Sequence, residues 1–357
     1  MRRRQAFNAI ARGLVRGGQS GRARAGIVLA ALALAVSACT GGGSGSPGAD
    51  DGDAGGYPEQ AIDVIVPFAE GGPTDTVTRL IAEPMAAELG GEIVPQNVEG
   101  AGGTVAAEQV ANAEPDGYTV LMHHIGMSTA PTLYPDLAYN PLEDFEMIGL
   151  VTEVPMTIIG SPEFEPNTLE ELVTYVEENI DTVNYAHAGT GAASQLCGLL
   201  FEQATGLDMN EVPYDGTGPA MEDLLGNQVD FMCDQTTNTA ERILGDEVKA
   251  YAVTTPERIE ALPDVPTTAE GGLPDIEVTV WHGLYVPAGT PQEVIDALTG
   301  ALQVALADET VITRLGELGT APVTEDRATP EAHREHLEAQ IELWQPIIEE
   351  AGVTAAR

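Results

Sequence analysis

Glycine-rich turns between a predicted strand and a predicted helix are the most frequent candidates for chemistry in this sequence. The first follows the apolar run 62–66, where Gly71-Gly72 leads into Pro73-Thr74-Asp75 and a segment with helical periodicity. Such a turn directs free backbone N–H groups and the positive end of the helix dipole at one point, which favours an anion. The turn matches neither a P-loop nor the G-x-G-x-x-G pattern of dinucleotide sites. An ordinary βα turn is the alternative interpretation.

Similar turns recur further along the chain. They lie at 100–103, 189–191, 215–219 and 234–238, each between an apolar run and a helical pattern. The alternation of strands and helices predicts an α/β fold with a mostly parallel sheet and helices on both faces. Ligands of such sheets bind at the carboxyl ends of the strands, so we expect several of these turns to converge on one small anion.

The order of the elements predicts two doubly wound lobes. The chain leaves the first set of units near residue 155 and returns near 278, before amphipathic helices at about 291–307, 309–318 and 329–350. We therefore predict lobe 1 at 57–155 and 277–357 and lobe 2 at 156–276. A two-segment hinge would join the lobes, with the ligand cleft between them.

The N-terminus has the pattern of an export signal. Arginines without any acidic residue precede the apolar run 26–38, which is too short for a membrane-spanning helix. We predict a lipoprotein-type signal peptide at 1–38, lipidation at Cys39 and a flexible Gly/Ser/Asp linker at 39–56. The protein would then be extracytoplasmic, in the periplasm or at the cell surface, and anchored to the membrane by lipid. Plain secretion with Cys39 incidental is the alternative.

The composition is strongly acidic. The chain has 56 Asp and Glu against 15 Lys and Arg, a formal net charge of −41, and a single lysine, Lys249. This charge excludes binding to nucleic acid or anionic lipid surfaces. The acidic residues are scattered rather than blocked, which indicates adaptation to high salt. No calcium-loop pattern and no His/Cys cluster with metal-ligand spacing occurs, so we expect neither a metal nor a cofactor, in a protein that is monomeric.

Two cysteines remain after the predicted signal, Cys197 and Cys233. In an oxidising compartment a disulfide is their natural pairing, and two buried free thiols are the alternative. An enzyme would need His187 or His124 as a base beside Ser194 or Cys197. The sequence has no G-x-S-x-G elbow and no recognisable triad order, so we do not expect an enzyme.

Runs of sequence spread in order over residues 57 to 325 resemble the Bug-type solute receptors of tripartite tricarboxylate transporters. They include YPEQAIDVIVPFAEGGPTDTVTR, EGAGGTVAAEQVANAEPDGYTVL, LYPDLAYNPLEDFEMIGLV and NYAHAGTGAASQLCGLLF, followed by VPYDGTGPAMEDLLGNQVDFMCDQTTNT, YAVTTPERIEALPDVPTTAE and VWHGLYVPAGTP. The resemblance implies a fold like the type II periplasmic binding proteins. It also implies capture of a small organic carboxylate, such as a di- or tricarboxylate, and its delivery to the permease subunits of such a transporter.

The resemblance further implies that backbone N–H groups, hydroxyls and bridging water hold the carboxylate, rather than arginine. Carried over by motif, the predicted ligand-binding residues are Phe68, Gly71, Gly72, Thr74 and Asp75 from lobe 1, and Thr190, Ser194, Tyr214, Thr217 and Asp234 from lobe 2.

Each of these assignments has an alternative. Phe68 and Tyr214 would be apolar wall, and Asp75 a helix cap. Asp234, a carboxylate near an anionic ligand, would bind an amine, a hydroxyl or an ordered water instead. The segment His123-His124 departs from the serine-rich loop more usual in the family and adds His124 as a candidate hydrogen-bond donor. A sensor domain, or a receptor for a neutral or zwitterionic solute, remains the alternative function.

Overall fold

The computed structural model describes residues 56–355. The predicted signal peptide, the predicted lipidation site at Cys39 and all but the last residue of the predicted linker lie outside that range, so these three features stay predictions.

Strands and helices alternate along the described chain. The strands are β1 (Ile62–Val66), β2 (Ile93–Asn97), β3 (Thr119–His124), β4 (Phe145–Gly160), β5 (Asn184–His187), β6 (Asn210–Pro213), β7 (Phe231–Gln235), β8 (Lys249–Val253) and β9 (Thr279–Pro287). The helices are α1 (Pro73–Leu89), α2 (Thr104–Ala111), α3 (Gly126–Leu133), α4 (Leu169–Glu178), α5 (Ala193–Thr205), α6 (Thr217–Leu225), α7 (Thr236–Leu244), α8 (Gln292–Leu306), α9 (Glu309–Glu317) and α10 (Pro330–Ala351).

The local signals in the sequence explain where α1 begins and ends. Pro73 occupies the first turn, where its missing N–H leaves no helical hydrogen bond unmade. Gly90 ends the helix in the left-handed conformation, with φ at 68°, which glycine adopts without steric cost. Pro84 lies inside the helix without interrupting it.

The strands form one sheet in the order β2-β1-β3-β9-β4-β7-β5-β6, with β8 paired to β4. Pairing is parallel where β1 meets β2 and β3, and where β5 meets β6 and β7. It is antiparallel at β9 and at every partner of β4. The prediction of a mostly parallel sheet is therefore correct only for the flanks. The two central strands, β4 and β9, are antiparallel to each other because the chain crosses the middle of the sheet once in each direction.

Strand β4 belongs to both parts of this sheet. It pairs with β9 as far as Pro155 opposite Thr279, and with β7 from Met156 opposite Gln235. We call β2, β1, β3, β9 and the start of β4 the first half-sheet, and the end of β4 with β5 to β8 the second half-sheet. The predicted lobe boundary near residue 155 lies where β4 changes its partner from β9 to β7. The division into two lobes stays a prediction.

Apolar side chains on the strands face apolar stripes on the helices. In the first half-sheet, Ile62 and Val64 of β1 lie in one buried cluster with Val77 and Ile81 of α1 and with residues of α8. In the second half-sheet, Cys197 of α5 and Cys233 of β7 form a disulfide with their Cα atoms 6.1 Å apart, which confirms the predicted pairing. No helix among residues 56–355 combines the length and the apolar character needed to cross a membrane.

Candidate functional site

A small cavity lies where the strand ends of the two half-sheets meet. Its volume is about 20 Å³, enough for about one water molecule. The first half-sheet and α1 contribute Phe68, Pro73, Thr74 and His124; the second half-sheet and its helices contribute Ala188, Ala192, Ala193, Ser194, Thr217, Asp234 and Gln235. The cavity thus collects six of the predicted ligand-binding residues, namely Phe68, Thr74, His124, Ser194, Thr217 and Asp234.

The β1–α1 turn positions the start of α1 at the cavity. Gly71 has φ at +78°, and Gly72 precedes the first helical residue without any side-chain cap. Asp75 lies in the first turn of α1 but does not cap the helix: its carboxylate accepts hydrogen bonds from the Gly71 N–H of the preceding turn at 2.9 Å and from Arg79 Nε at 2.8 Å. Asp75 therefore satisfies the protein's own donors and, like Gly71 and Gly72, does not line the cavity.

Three buried histidines cluster on the side of the cavity formed by the first half-sheet: His124 lines the cavity, and His123 and His282 pack against it. The antiparallel register of β3 and β9 places His124 directly opposite His282, and the ring of His123 lies 5.1 Å from that of His124. Phe68 stacks on His124 with ring centroids 4.7 Å apart. The Thr74 hydroxyl lies 3.3 Å from His282 Nε2.

These imidazoles are neutral at ordinary pH. Burial lowers the pKa of His123 to about 4 and that of His282 to about 3, and burial beside the other two imidazoles holds the pKa of His124 well below its usual value. The Gly126 N–H donates to His124 Nδ1 at 2.9 Å, so the ring proton of His124 is on Nε2. His124 is therefore a neutral hydrogen-bond donor. Within residues 56–355, no three His, Cys, Asp or Glu side chains are placed to hold a metal ion.

The opposite wall carries hydroxyls and a carboxyl group. Ser194, at the start of α5, accepts a hydrogen bond at Oγ from the Ala188 N–H at 2.8 Å, and Thr217 is the first residue of α6. Asp234 is buried in β7, where Oδ1 accepts from the Gln235 N–H at 2.8 Å and Oδ2 from Asn238 Nδ2 at 2.6 Å. Burial raises the pKa of Asp234 to about 6, although these hydrogen bonds favour its ionised form.

Thr190 and Tyr214 line a second, larger cavity of about 260 Å³, which shares Phe68 and Ala188 with the first. The Tyr214 hydroxyl donates to Asp223 at 2.7 Å. Tyr134 lies 2.8 Å from the Ala101 carbonyl and 2.7 Å from the Thr190 carbonyl, so its hydroxyl joins a turn of each half-sheet. Thr190 and Tyr214, both predicted ligand residues, thus lie beside the first cavity rather than in it.

The two half-sheets touch through backbone at their glycine turns. A Cβ on Gly102 would come within 2.1 Å of the Thr190 carbonyl oxygen, and one on Gly216 within 3.0 Å of the Ala69 nitrogen. The Ala69 N–H donates to the Asp215 carbonyl at 3.3 Å. Glycine at these positions therefore allows the backbones of the two half-sheets to come into contact. The sequence analysis did not predict this role.

Sequence reasoning missed several residues of the cavity wall. These are Pro73, Ala188, Ala192, Ala193 and Gln235. Pro73, Ala193 and Gln235 each adjoin a predicted residue, whereas Ala188 and Ala192 flank the turn at 189–191. Because the apolar and small residues carry no chemical signal, only their position in a glycine turn could have indicated them. His282 offered no local signal, since its place behind Thr74 depends on strand register. Cys197 forms the disulfide, so it is not available as the nucleophile of an enzyme. His187, a candidate base, has its Nε2 atom 3.6 Å from the carboxylate of Glu211.

Known proteins resemble this chain over most of its length. A family model described as the tripartite tricarboxylate transporter family receptor matches residues 77–353. A relative from Agrobacterium vitis, described as a UPF0065 protein in the TAR-I ttuE-ttuC' intergenic region, is 50% identical over 296 residues, which cover 83% of this chain and 86% of the relative.

Solved structures agree with that match. The periplasmic binding protein BugD superposes with a TM-score of 0.82 at 49% identity, covering 84% of this chain and 99% of BugD. MatC from Rhodopseudomonas palustris, solved with bound malate, superposes with a TM-score of 0.80 at 41% identity, covering 82% of this chain and 100% of MatC. The predicted fold class is therefore confirmed. The chain belongs to the receptor family of tripartite tricarboxylate transporters, whose members are periplasmic solute-binding proteins and not enzymes.

Proposed function

We propose that this receptor captures a small organic carboxylate in the cavity between its half-sheets and delivers it to the permease subunits of a tripartite transporter. The observation that carries the proposal is the set of neutral donors around the cavity. These are the backbone N–H of Thr74 at the start of α1, the Nε2–H of His124 and the hydroxyls of Thr74 and Ser194. A helix N-terminus and neutral donors stabilise a carboxylate without a counter-charge.

The cation-free lining supports the same function. Of the described residues that line the cavity, none is lysine or arginine. Arg79, the basic residue next to the β1–α1 turn, is occupied by Asp75 and Glu70. A relative with 41% identity, MatC, holds malate, which is a hydroxylated dicarboxylate. Since the cavity holds about one water molecule, entry of such a ligand requires the two half-sheets to separate.

The remaining residues of the predicted site have supporting roles in this proposal. Gly71, Gly72 and Asp75 set the position of the start of α1, and Thr190 and Tyr214 border the adjoining cavity, which would receive a longer ligand. We extend the proposal to a lipid anchor at Cys39, which would keep the receptor close to its permease.

A thermal-shift screen of the purified protein in high salt tests the function. The panel contains mono-, di- and tricarboxylates, aromatic acids, amino acids and neutral sugars. A carboxylate present at one hundred times its Kd should stabilise the fold by about 2.7 kcal/mol. Stabilisation by acids of one class supports the proposal. Stabilisation by neutral or amine-bearing solutes, with none by acids, contradicts it.

A further inference from the structure

Asp234 is the one carboxyl group among the described residues that line the cavity. Its side chain is buried, with 1% of its surface exposed. Any anionic ligand in this cavity must therefore lie close to a carboxyl group that is shielded from water. Two carboxylates in one shielded site repel each other, and the usual resolution is that they share a proton.

Most groups around Asp234 are neutral, and the positive charge of Arg242 is too weak to outweigh burial. From β3 and β9, the cavity and its rear wall present His124 and His282, both neutral. From β5, Tyr185 is held in its neutral form by burial. From α6 comes the hydroxyl of Thr217, which hydrogen-bonds to Asp234. From α7, Arg242 favours the ionised carboxylate, but burial outweighs it, and the pKa of Asp234 is raised to about 6.

The hydrogen bonds of Asp234 leave room for a proton. Gln235 N–H donates to Oδ1, and the amide of Asn238 donates to Oδ2. Thr217 is a third donor to this carboxylate. The two oxygens together offer about four lone-pair sites, so one site is left for a proton while the three donors stay in place. The acid form would then gain an O–H that can reach a ligand in the cavity that Asp234 lines.

We propose that Asp234 takes up a proton from solvent when a carboxylate enters the cavity, and that its carboxylic acid O–H donates a hydrogen bond to the ligand. This deepens the proposed function, on which it rests. The pair formed is one carboxylic acid and one carboxylate, with a single negative charge in place of two. Asp234 thereby becomes a specificity-determining residue, because a ligand group placed against it must accept a hydrogen bond.

The sign of the pH dependence follows from this exchange. A bound carboxylate favours protonated Asp234, so the pKa of Asp234 is higher in the complex than in the free protein. At any pH between these two values, binding of the ligand takes up a proton. Affinity falls as pH rises above about 6, by at most about tenfold per pH unit. An ammonium-bearing ligand would favour ionised Asp234 instead, and its affinity would rise over the same range.

Calorimetric titration of the wild-type protein is the first test. Malate, succinate and adipate serve as probes, near pH 7, in buffers of different ionisation enthalpy. The expected result is uptake of a large fraction of one proton per ligand, and a Kd that weakens at least about tenfold between about pH 6 and pH 8. This measurement needs no variant, so it does not depend on the folding of one.

A pair of substitutions locates the proton. In Asp234→Asn the side-chain amide donates without titrating, so the pH dependence and the proton uptake are lost, while binding near pH 8 is at least as tight as in the wild type. Glu211→Gln is the matched control. Burial raises the pKa of Glu211 as well, but this residue does not line the cavity, so the variant should keep the wild-type pH profile. Thermal melting of both variants verifies folding.

The outcomes separate this inference from the proposed function. Binding of an acid without proton uptake, or uptake that persists in Asp234→Asn, overturns the inference and leaves the carboxylate receptor intact. Binding of amine-bearing ligands only, with affinity that rises with pH, overturns both. Binding of none of the carboxylates also overturns both.

Discussion

The first half-sheet contributes an imidazole and a helix N-terminus to the cavity, whereas the second half-sheet contributes hydroxyls and a carboxyl group. His124 on the first wall is a donor at every ordinary pH because burial keeps it neutral. Burial raises the pKa of Asp234, on the second wall, to about 6. Burial acts on both walls, yet it fixes the chemistry of one and makes that of the other depend on pH. The reason is that burial disfavours the charged form of either group. It moves the pKa of the histidine away from neutral pH, but it moves the pKa of the aspartate towards neutral pH.

The two parts also differ in how they are held together. Among the described residues, only the second half-sheet contains a disulfide, which links α5 to β7 across 36 positions. Both elements carry cavity residues, since Ser194 lies in α5 and Asp234 in β7. The first half-sheet relies on apolar packing between β1, α1 and α8. This contrast suggests that the geometry of the second wall depends more on a covalent link.

The largest effect is expected from removal of that link. The double change Cys197→Ser and Cys233→Ser should lower the free energy of unfolding by roughly 3–4 kcal/mol, because the unfolded chain regains the freedom of a long loop. Chemical denaturation of the oxidised wild type and the variant measures this loss. A reductant should destabilise the wild type and leave the variant unchanged. Equal stability of the two proteins would show that packing alone holds the second half-sheet.

The contact between the half-sheets should be the next most sensitive feature. Gly102→Ala places a methyl group against the Thr190 carbonyl, so the half-sheets cannot approach as closely as they do here. We expect ligand affinity to fall about 100-fold, or about 2.7 kcal/mol, because the closed form that encloses the ligand becomes rare. Calorimetric titration measures this change.

The control for this prediction is Gly289→Ala. Gly289 also has a positive φ, +87°, but nothing lies within 4 Å of the Cβ that it would gain. Its variant bears the backbone strain alone, so it should lose stability without losing affinity. Equal affinity of the Gly102 and Gly289 variants would mean that the close contact between half-sheets is not required for binding.

A smaller effect tests the donor on the first wall. In His124→Asn, the amide oxygen can still accept from the Gly126 N–H while the Nε2–H is removed. The loss of one hydrogen bond to an ionised ligand should weaken binding about tenfold, or about 1.4 kcal/mol. The pH dependence between about pH 6 and 8 should stay that of the wild type, because His124 does not titrate there. A change in that profile would contradict the division of roles between the walls.

The smallest effect concerns both half-sheets equally. Acidic residues outnumber basic ones by 56 to 15, and they are spread along the chain. Screening of their repulsion by molar sodium chloride should raise the melting temperature by a few degrees, or about 1 kcal/mol. Hydrogen exchange in low and high salt should then show similar protection gains in both half-sheets. An unchanged melting temperature would contradict the predicted adaptation to salt.

Local signals in the sequence were strong enough to predict most of the elements. The Thr168–Glu171 pair has the sequence pattern of a capping box and starts α4, with the Thr168 side chain accepting from the Glu171 N–H. Helix α3 was not predicted, since it is only eight residues long and contains Gly126 and Pro131, both weak helix formers. Strand β8, five residues at the edge of the sheet, was also missed.

The sequence by itself determined the repeated strand–turn–helix units, the disulfide partners, the membership of the family and most of the side chains that reach the cavity. Each of these depends on residue type and short-range spacing, which a single chain displays directly. Only the tertiary structure decided which glycine turns face a ligand and which face each other, because that depends on how two distant segments meet. It also decided that Asp75 binds the turn before its helix, that His282 lies behind Thr74, and that Asp234 is buried deeply enough to shift its pKa. Strand register and burial are long-range properties, and no local pattern in the sequence encodes them.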